Sequence, residues 1–281
     1  MRRSNRKPVP TPTATSTRAK APAEPASTNT GGTRHERAGQ PEAGVVAGGG
    51  PVSAPGLALV RLLQLASPTL PVGAYTYSQG LEWAVECGVV GNQDSAGHWI
   101  GDQLEWNLAG LEAPLVAGAM AAWRDADATL LARLNEDFLA SRETAELRAE
   151  TVQMGYSLRR LLSGLAAFGS DRGAMARLER FEEIAYPVAW AAAAAQWQVP
   201  AADALGAYLW AWLENQVMAA VKCVPLGQSA GQALLSSLGE RIPGLVAEAL
   251  ELDEAGWSNF APGLAIASSR HETQYTRLFR S

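Results

Sequence analysis

The chain has 281 residues, 47% of them hydrophobic, which is enough apolar material for a sizeable core in one or two domains. Its 23 basic and 28 acidic groups leave a net charge of −5, with no overall drive toward nucleic acid or an anionic membrane. Two cysteines (Cys87 and Cys223) and three histidines exclude a disulfide scaffold and a cysteine-rich zinc cluster, and no glycine-rich phosphate loop is present.

The average charge hides a split. Residues 1–55 hold eight basic groups (Arg2, Arg3, Arg6, Lys7, Arg18, Lys20, Arg34, Arg37) against three acidic ones (Glu24, Glu36, Glu42), a net of +5 that leaves −10 for the remainder. This stretch is rich in Pro, Thr, Ala and Gly and has no aromatic residue. It cannot bury enough surface to offset ordering entropy, so it reads as a disordered basic arm. A docking arm, a transit peptide and a dispensable extension all fit it; with no apolar run, a secretory signal does not.

From about Gly56 onward the pattern is helical. Leu57 to Ala66 reads as a helix ended by Ser67-Pro68, since the residue before proline avoids the helical region. An irregular loop, Ser67 to Ser78, follows. Helices are expected near 79–87, 95–111 (capped by Asp94), 113–124 (opened by Pro114) and 127–139. Ser141 is the expected cap of a helix over 142–167. Its Leu147, Met154, Leu158, Leu161, Leu162 and Leu165 recur at helical spacing on one face, and Arg142, Glu146, Arg148, Glu150, Arg159 and Arg160 fill the other, solvated one. Further helices are expected near 174–183, 187–197, 201–221, from Pro225 to Leu238, and around 246–252. Ile184 to Ala202 carries no charge, but Pro187 and Pro200 bracket a run too short to span a bilayer, so it reads as a buried helix with an alanine stripe for close packing. No alternating strand is visible. The expectation is an all-α fold, a single compact domain of about ten helices over 56–267, with a C-terminal tail over 268–281.

Four places depart from plain core packing. The loop Ser67-Pro-Thr-Leu-Pro-Val-Gly-Ala-Tyr-Thr-Tyr-Ser78, leading into Gln79-Gly-Leu-Glu82, is a shaped turn that presents Tyr75, Tyr77 and Ser78, either to a partner or simply as a connection. In Trp212 to Gln228, the polar Glu214, Asn215 and Gln216 sit within an apolar helix and need partners. Lys222, the only lysine after residue 20, either complements the helix dipole or meets a partner. Cys223 beside it is either a lowered-pKa thiol or, as favoured here, a small core residue. The charge run Ser141-Arg-Glu-Thr-Ala-Glu-Leu-Arg148 reads as a solvated face. The tail, with Arg270, His271, Glu272, Tyr275, Arg277 and Phe279, has the composition of an interface, since arginine and aromatics dominate binding hot spots. No catalytic constellation emerges.

These blocks, together with Leu62 to Glu82, Gln153-Met-Gly155 and Phe260 to Ser281, resemble the urease accessory protein UreF family in order and spacing over most of residues 57–281. The resemblance implies an all-α, dimerising, non-enzymatic maturation factor; the lack of a secretory signal and of a membrane span argues for the cytoplasm, where urease maturation would occur. Its partners would be the accessory protein UreD (UreH in some organisms), the GTPase UreG and apo-urease. Nickel would be the transferred ion, with GTP and Mg on the GTPase and no stably bound cofactor. Carried over, Arg270, His271, Glu272, Tyr275, Arg277 and Phe279 would be a UreD-type docking tail that orders on binding. Tyr75 and Ser78 would join the partner face, Tyr75 meeting Arg277, and Lys222 would add a cation. Glu82 would face a polar passage for nickel. Tyr75 stands where many relatives have Phe. The competing expectation is a helical ligand-binding protein or enzyme with a pocket among Trp190, Trp197, Trp210 and Trp212.

Overall fold

The computed structural model describes residues 54–281, with side chains from Gly56 on. The expected arm over 1–55 lies outside the described residues except at its end, where α1 (Ala54–Leu65) begins. Every regular element among the described residues is helical, so the all-α expectation holds. After α1 come a short 3-10 turn at Ala74–Thr76, α2 (Leu81–Glu86) and α3 (Gln93–Gln103). A π-helical stretch, Leu104–Glu112, leads without a break into α4 (Ala113–Arg124). Then follow α5 (Ala128–Ala140), α6 (Ala145–Gly164), α7 (Ala166–Gly169), α8 (Arg172–Glu179) and α9 (Tyr186–Gln196). The chain ends with α10 (Ala201–Cys223), α11 (Gln228–Gly239), α12 (Ile242–Glu251) and α13 (Pro262–His271).

The caps correct several expected boundaries. Asn92, not Asp94, caps α3: its side chain accepts from the Ser95 amide at 2.9 Å while the Ser95 hydroxyl accepts from the Asn92 amide at 3.1 Å. Asp94 sits in the first turn, where its charge suits the helix dipole. Thr144, not Ser141, caps α6; the Ser141 hydroxyl instead donates to the Phe138 carbonyl at the end of α5. Pro225 lies in the connection before α11 rather than in it. The helix α4 has the expected bounds, 113–124, with Pro114 in its first turn, but it continues from the π stretch without a break. Proline leaves the carbonyl four residues back without its usual donor, and here that carbonyl, on Gly110, accepts from the Ser258 amide at 3.0 Å. The π-register just before Pro114 accommodates the missing amide within one continuous helix.

The helix α9 is hydrophobic all round and buried from Pro187 to Ala195, with α4 and α6 packed against it. Its alanines let those axes come close. Glycine does the same on α6. A Cβ at Gly155 would lie 1.9 Å from the Ile184 carbonyl oxygen, so only glycine fits where α6 crosses the segment entering α9. That segment is pinned on both sides: Asn135 bonds Glu183 and Ala185 through its amide group, and the Tyr186 amide donates to Thr151 Oγ1 at 3.0 Å. Among the described residues no helix is long and apolar enough to cross a membrane.

The four tryptophans of the expected pocket lie in different surroundings. Trp190 is fully buried, edge-on to Tyr186 and Tyr208. Trp197 lies beneath Arg61, Trp210 borders a groove between α1, α10 and α12, and Trp212 donates to Gln79.

Candidate functional site: a tail seated on a shaped loop

The loop after α1 turns inward at its end. Gly73, at φ 82, opens the 3-10 turn, which leaves Tyr75 64% exposed. Tyr77 and Ser78 are buried. Gln79 then adopts φ 51, a left-handed conformation that costs a non-glycine residue of order 1 kcal/mol or more. Its side chain offsets this: Nε2 donates to Glu150 at 2.8 Å, and Oε1 accepts from Trp212 Nε1 at 2.8 Å. Gly80 follows at φ 78, capping α2. A Cβ there would sit 2.9 Å from the Ala267 Cβ, so α13 lies directly against the start of α2.

The tail lies in this turn. The Ser268 hydroxyl on α13 bonds Thr144 Oγ1 at 2.7 Å, joining α13 to the cap of α6. His271 is wholly buried, with Nδ1 2.6 Å from Glu146 Oε2 and Nε2 3.4 Å from Glu82 Oε2. Arg277 pairs with Glu146 Oε1 at 2.6 Å, and the Glu146 amide donates to Glu272 at 3.2 Å. Glu82 takes the amides of Leu278 (2.6 Å) and Phe279 (2.9 Å). The Arg280 amide donates to the Thr76 carbonyl at 2.8 Å. Finally the Ser281 main-chain oxygen accepts from the Ser78 amide (2.7 Å), the Gln79 amide (3.0 Å) and the Ser78 hydroxyl (2.7 Å), while its hydroxyl donates to Glu150 Oε2 at 2.7 Å. Lys222 Nζ stands 5.4 Å over the ring of buried Phe279, a cation–π contact.

Tail and loop therefore meet, though not through the expected pair: Arg277 bonds Glu146, and the junction with the loop is made by Arg280 and Ser281 against Thr76, Ser78 and Gln79. His271, Phe279 and Ser281 are already buried in the single chain. Arg270, Glu272, Tyr275 and Arg277 are exposed, Tyr275 and Leu278 being bare at 103% and 73%. Both Glu82 oxygens accept from the tail, so any exchange with an ion there would require these bonds to open.

Behind this junction lies a second polar cluster. Glu112 of the π stretch pairs with Arg142 at 3.0 Å, the two side chains only 8% and 5% exposed, and Tyr208 donates to Glu112 at 2.6 Å. Arg142 also stacks on Phe138, its guanidinium 4.2 Å from the ring centre. A cavity of about 70 Å³ is lined among others by Gln79, Glu112, Arg142, Glu150 and Tyr186, so this pair and Glu150 border one space. Burial, followed by Glu112, holds the Tyr208 hydroxyl well above its ordinary range. Burial pushes the Cys223 thiol up to about 11, with Glu82 adding to the shift and Lys222 opposing it; Cys223 is thus not an activated thiol.

The sequence pattern places Arg142, Glu146 and Glu150 on a solvated face. The structure corrects this: Glu150 is 7% exposed, Arg142 lies in the buried pair and Glu146 grips the tail. The four-residue spacing of Glu146 and Glu150 puts them on one side of α6, but only the folded tail identifies that side as inward. Of the polar residues expected to need partners, Asn215 donates to the Tyr77 carbonyl at 3.2 Å, whereas the buried Gln216 side chain has no hydrogen-bond partner among the described residues.

A family model described as UreF matches residues 90–239. The urease accessory protein UreF of Azoarcus sp. is 72% identical to this chain over 225 residues, 80% of this chain and 96% of that protein. That of Dechloromonas aromatica is 58% identical over 226 residues, 80% and 98% of the two chains. That of Methylobacillus flagellatus is 50% identical over 224 residues, 79% and 97%. With a family model covering half of its length and relatives this close aligned nearly end to end, the chain belongs to the UreF family of urease accessory proteins.

Proposed function

We propose that this protein serves urease maturation without catalysing a reaction itself, by presenting the loop–tail junction to other accessory proteins. In this reading the tail docks on a UreD/UreH-type partner. The assembly, built on a dimer of this chain, recruits the UreG GTPase and passes nickel, as cargo, to apo-urease in the cytoplasm. Family membership supports the maturation role. The observation that carries the surface is the seated tail itself. Its backbone is tied down by Glu82, Ser78 and Gln79, while Tyr275 and Leu278 are left bare. Large apolar side chains held outward on a fixed backbone bind with little ordering cost. Lys222, exposed beside Phe279, adds a cation for an acidic partner.

The test is the affinity of the purified chain for its UreD/UreH-type partner. Tyr275→Ala with Leu278→Ala is expected to weaken it about 30-fold or more, the scale of losing two anchors of roughly 1 kcal/mol or more each, with helicity unchanged. Lys222→Ala is expected to weaken GTPase recruitment more than it lowers the melting temperature. Wild-type affinity in the double variant would refute the assigned face.

A further inference from the structure

The buried carboxylate of Glu150 joins the two halves of the junction. One oxygen holds the Ser281 hydroxyl of the tail, and the other holds the Gln79 side chain of the loop. Both donors are neutral. The nearby cation, Arg142, is engaged by Glu112, which also places a second acid beside the same small cavity. An ionised Glu150 is thus buried, without a cation of its own, near a like charge, a costly arrangement that departure of the tail would relieve by admitting water.

We propose that Glu150 makes seating of the tail pH-dependent: the tail stays seated while Glu150 carries its proton, and loosens as Glu150 ionises. This rests on the loop–tail junction being the partner-docking surface, and adds that the surface is regulated by pH. The charged and titratable groups around Glu150 come from every element packed against it. They are Tyr77 from the loop, Glu82 of α2, Glu112 of the π stretch, Arg142 before α6 and Glu146 one turn away on α6. Tyr186 of α9 and Tyr208 of α10 line the same cavity, while Arg280 reaches Tyr77, His271 and Arg277 reach Glu146, and Lys222 of α10 stands over Phe279.

Burial pushes the Glu150 carboxyl from 4.5 up to about 7; Glu112 adds to this, while Ser281, Gln79 and Arg142 oppose it. A carboxyl raised by docking contributes its full stabilisation below its free value and loses it as pH rises through the docked value. If release returns Glu150 to 4.5, the opening equilibrium of the tail rises about 70-fold between pH 5 and 8.

Hydrogen exchange on the full chain reads this even when the open state is rare. The amides of Leu278 and Phe279, which donate to Glu82, report the opening after correction for intrinsic base catalysis. The expected result is a rise of that size, flattened in Glu150→Gln, which keeps the shape and the hydrogen-bonding reach but cannot ionise. His271 is also buried in the tail's seat, so His271→Gln is measured alongside and is expected to keep the rise. A pH dependence that survives in Glu150→Gln, or is absent in the wild type, overturns the proposal. Should Glu150→Gln lose helicity, Glu112→Gln takes its place. It removes the neighbouring acid and is expected to move the transition to lower pH; an unmoved transition is also fatal. Failure of the docking surface has a separate signature, since Tyr275→Ala with Leu278→Ala would then bind the partner normally while the exchange profile still followed Glu150.

Discussion

Replacing Glu82 by glutamine should unseat the tail without unfolding the domain. The carboxylate accepts two tail amides, from Leu278 at 2.6 Å and Phe279 at 2.9 Å, at a site where Glu82 is 7% exposed. Bonds to a charged acceptor contribute about 1.5–3 kcal/mol each, against about 1 kcal/mol for a neutral one. Glutamine keeps one oxygen, so one bond is weakened, by about 1 kcal/mol. Its other end is an amide donor facing an N–H, and leaving that buried donor unpaired costs about 2 kcal/mol. Together these come to about 3 kcal/mol, or roughly 150-fold in the opening equilibrium of the tail. The neighbours Leu81 and Ala84 keep their core contacts, so α2 stays in place. Hydrogen exchange at residues 278 and 279 measures the local effect, and thermal unfolding followed by circular dichroism measures the global one. Exchange within about threefold of wild type would refute the anchoring role. A matching loss of about 3 kcal/mol in global stability would show that Glu82 supports the domain rather than the tail.

Other substitutions probe the packing that positions the junction. Gly155→Ala places a methyl 1.9 Å from the Ile184 oxygen and is expected to cost about 3 kcal/mol, lowering the melting temperature by about 10 °C; a fall below about 3 °C would mean that α6 can shift freely. Gly80→Ala combines a positive φ with a 2.9 Å approach to Ala267, and is expected to raise exchange in α13 and the tail more than elsewhere. Arg142→Ala leaves Glu112 buried and uncompensated, for a loss of about 3–5 kcal/mol in denaturant unfolding, whereas adding Glu112→Gln should restore part of it. By contrast Arg133→Ala, which breaks exposed pairs with Asp137 and Glu254, should leave the melting temperature unchanged.

The sequence by itself determined the fold class, because helical periodicity, the uncharged run ahead of Asp203 and the absence of alternation are local properties of the chain. It also marked the loop, Lys222 and the tail as unlike plain core, since glycine and proline shape turns wherever they occur and arginine with aromatics marks interfaces; Glu82 was singled out only through the family resemblance. Caps were less legible: Asp94 and Ser141 have suitable side chains, but Asn92 and Thr144 hold the geometry. The helix α13 went unseen within the terminal block. What only the tertiary structure decided is which charges face inward. Arg142, Glu146 and Glu150 are spaced like any solvated helix face, and nothing local separates a carboxylate in water from one that receives a serine more than a hundred residues away. Solvation is settled by what packs against a residue. Here that is a tail whose own anchors, His271 and Ser281, acquire meaning only beside Glu82, Glu146 and Glu150.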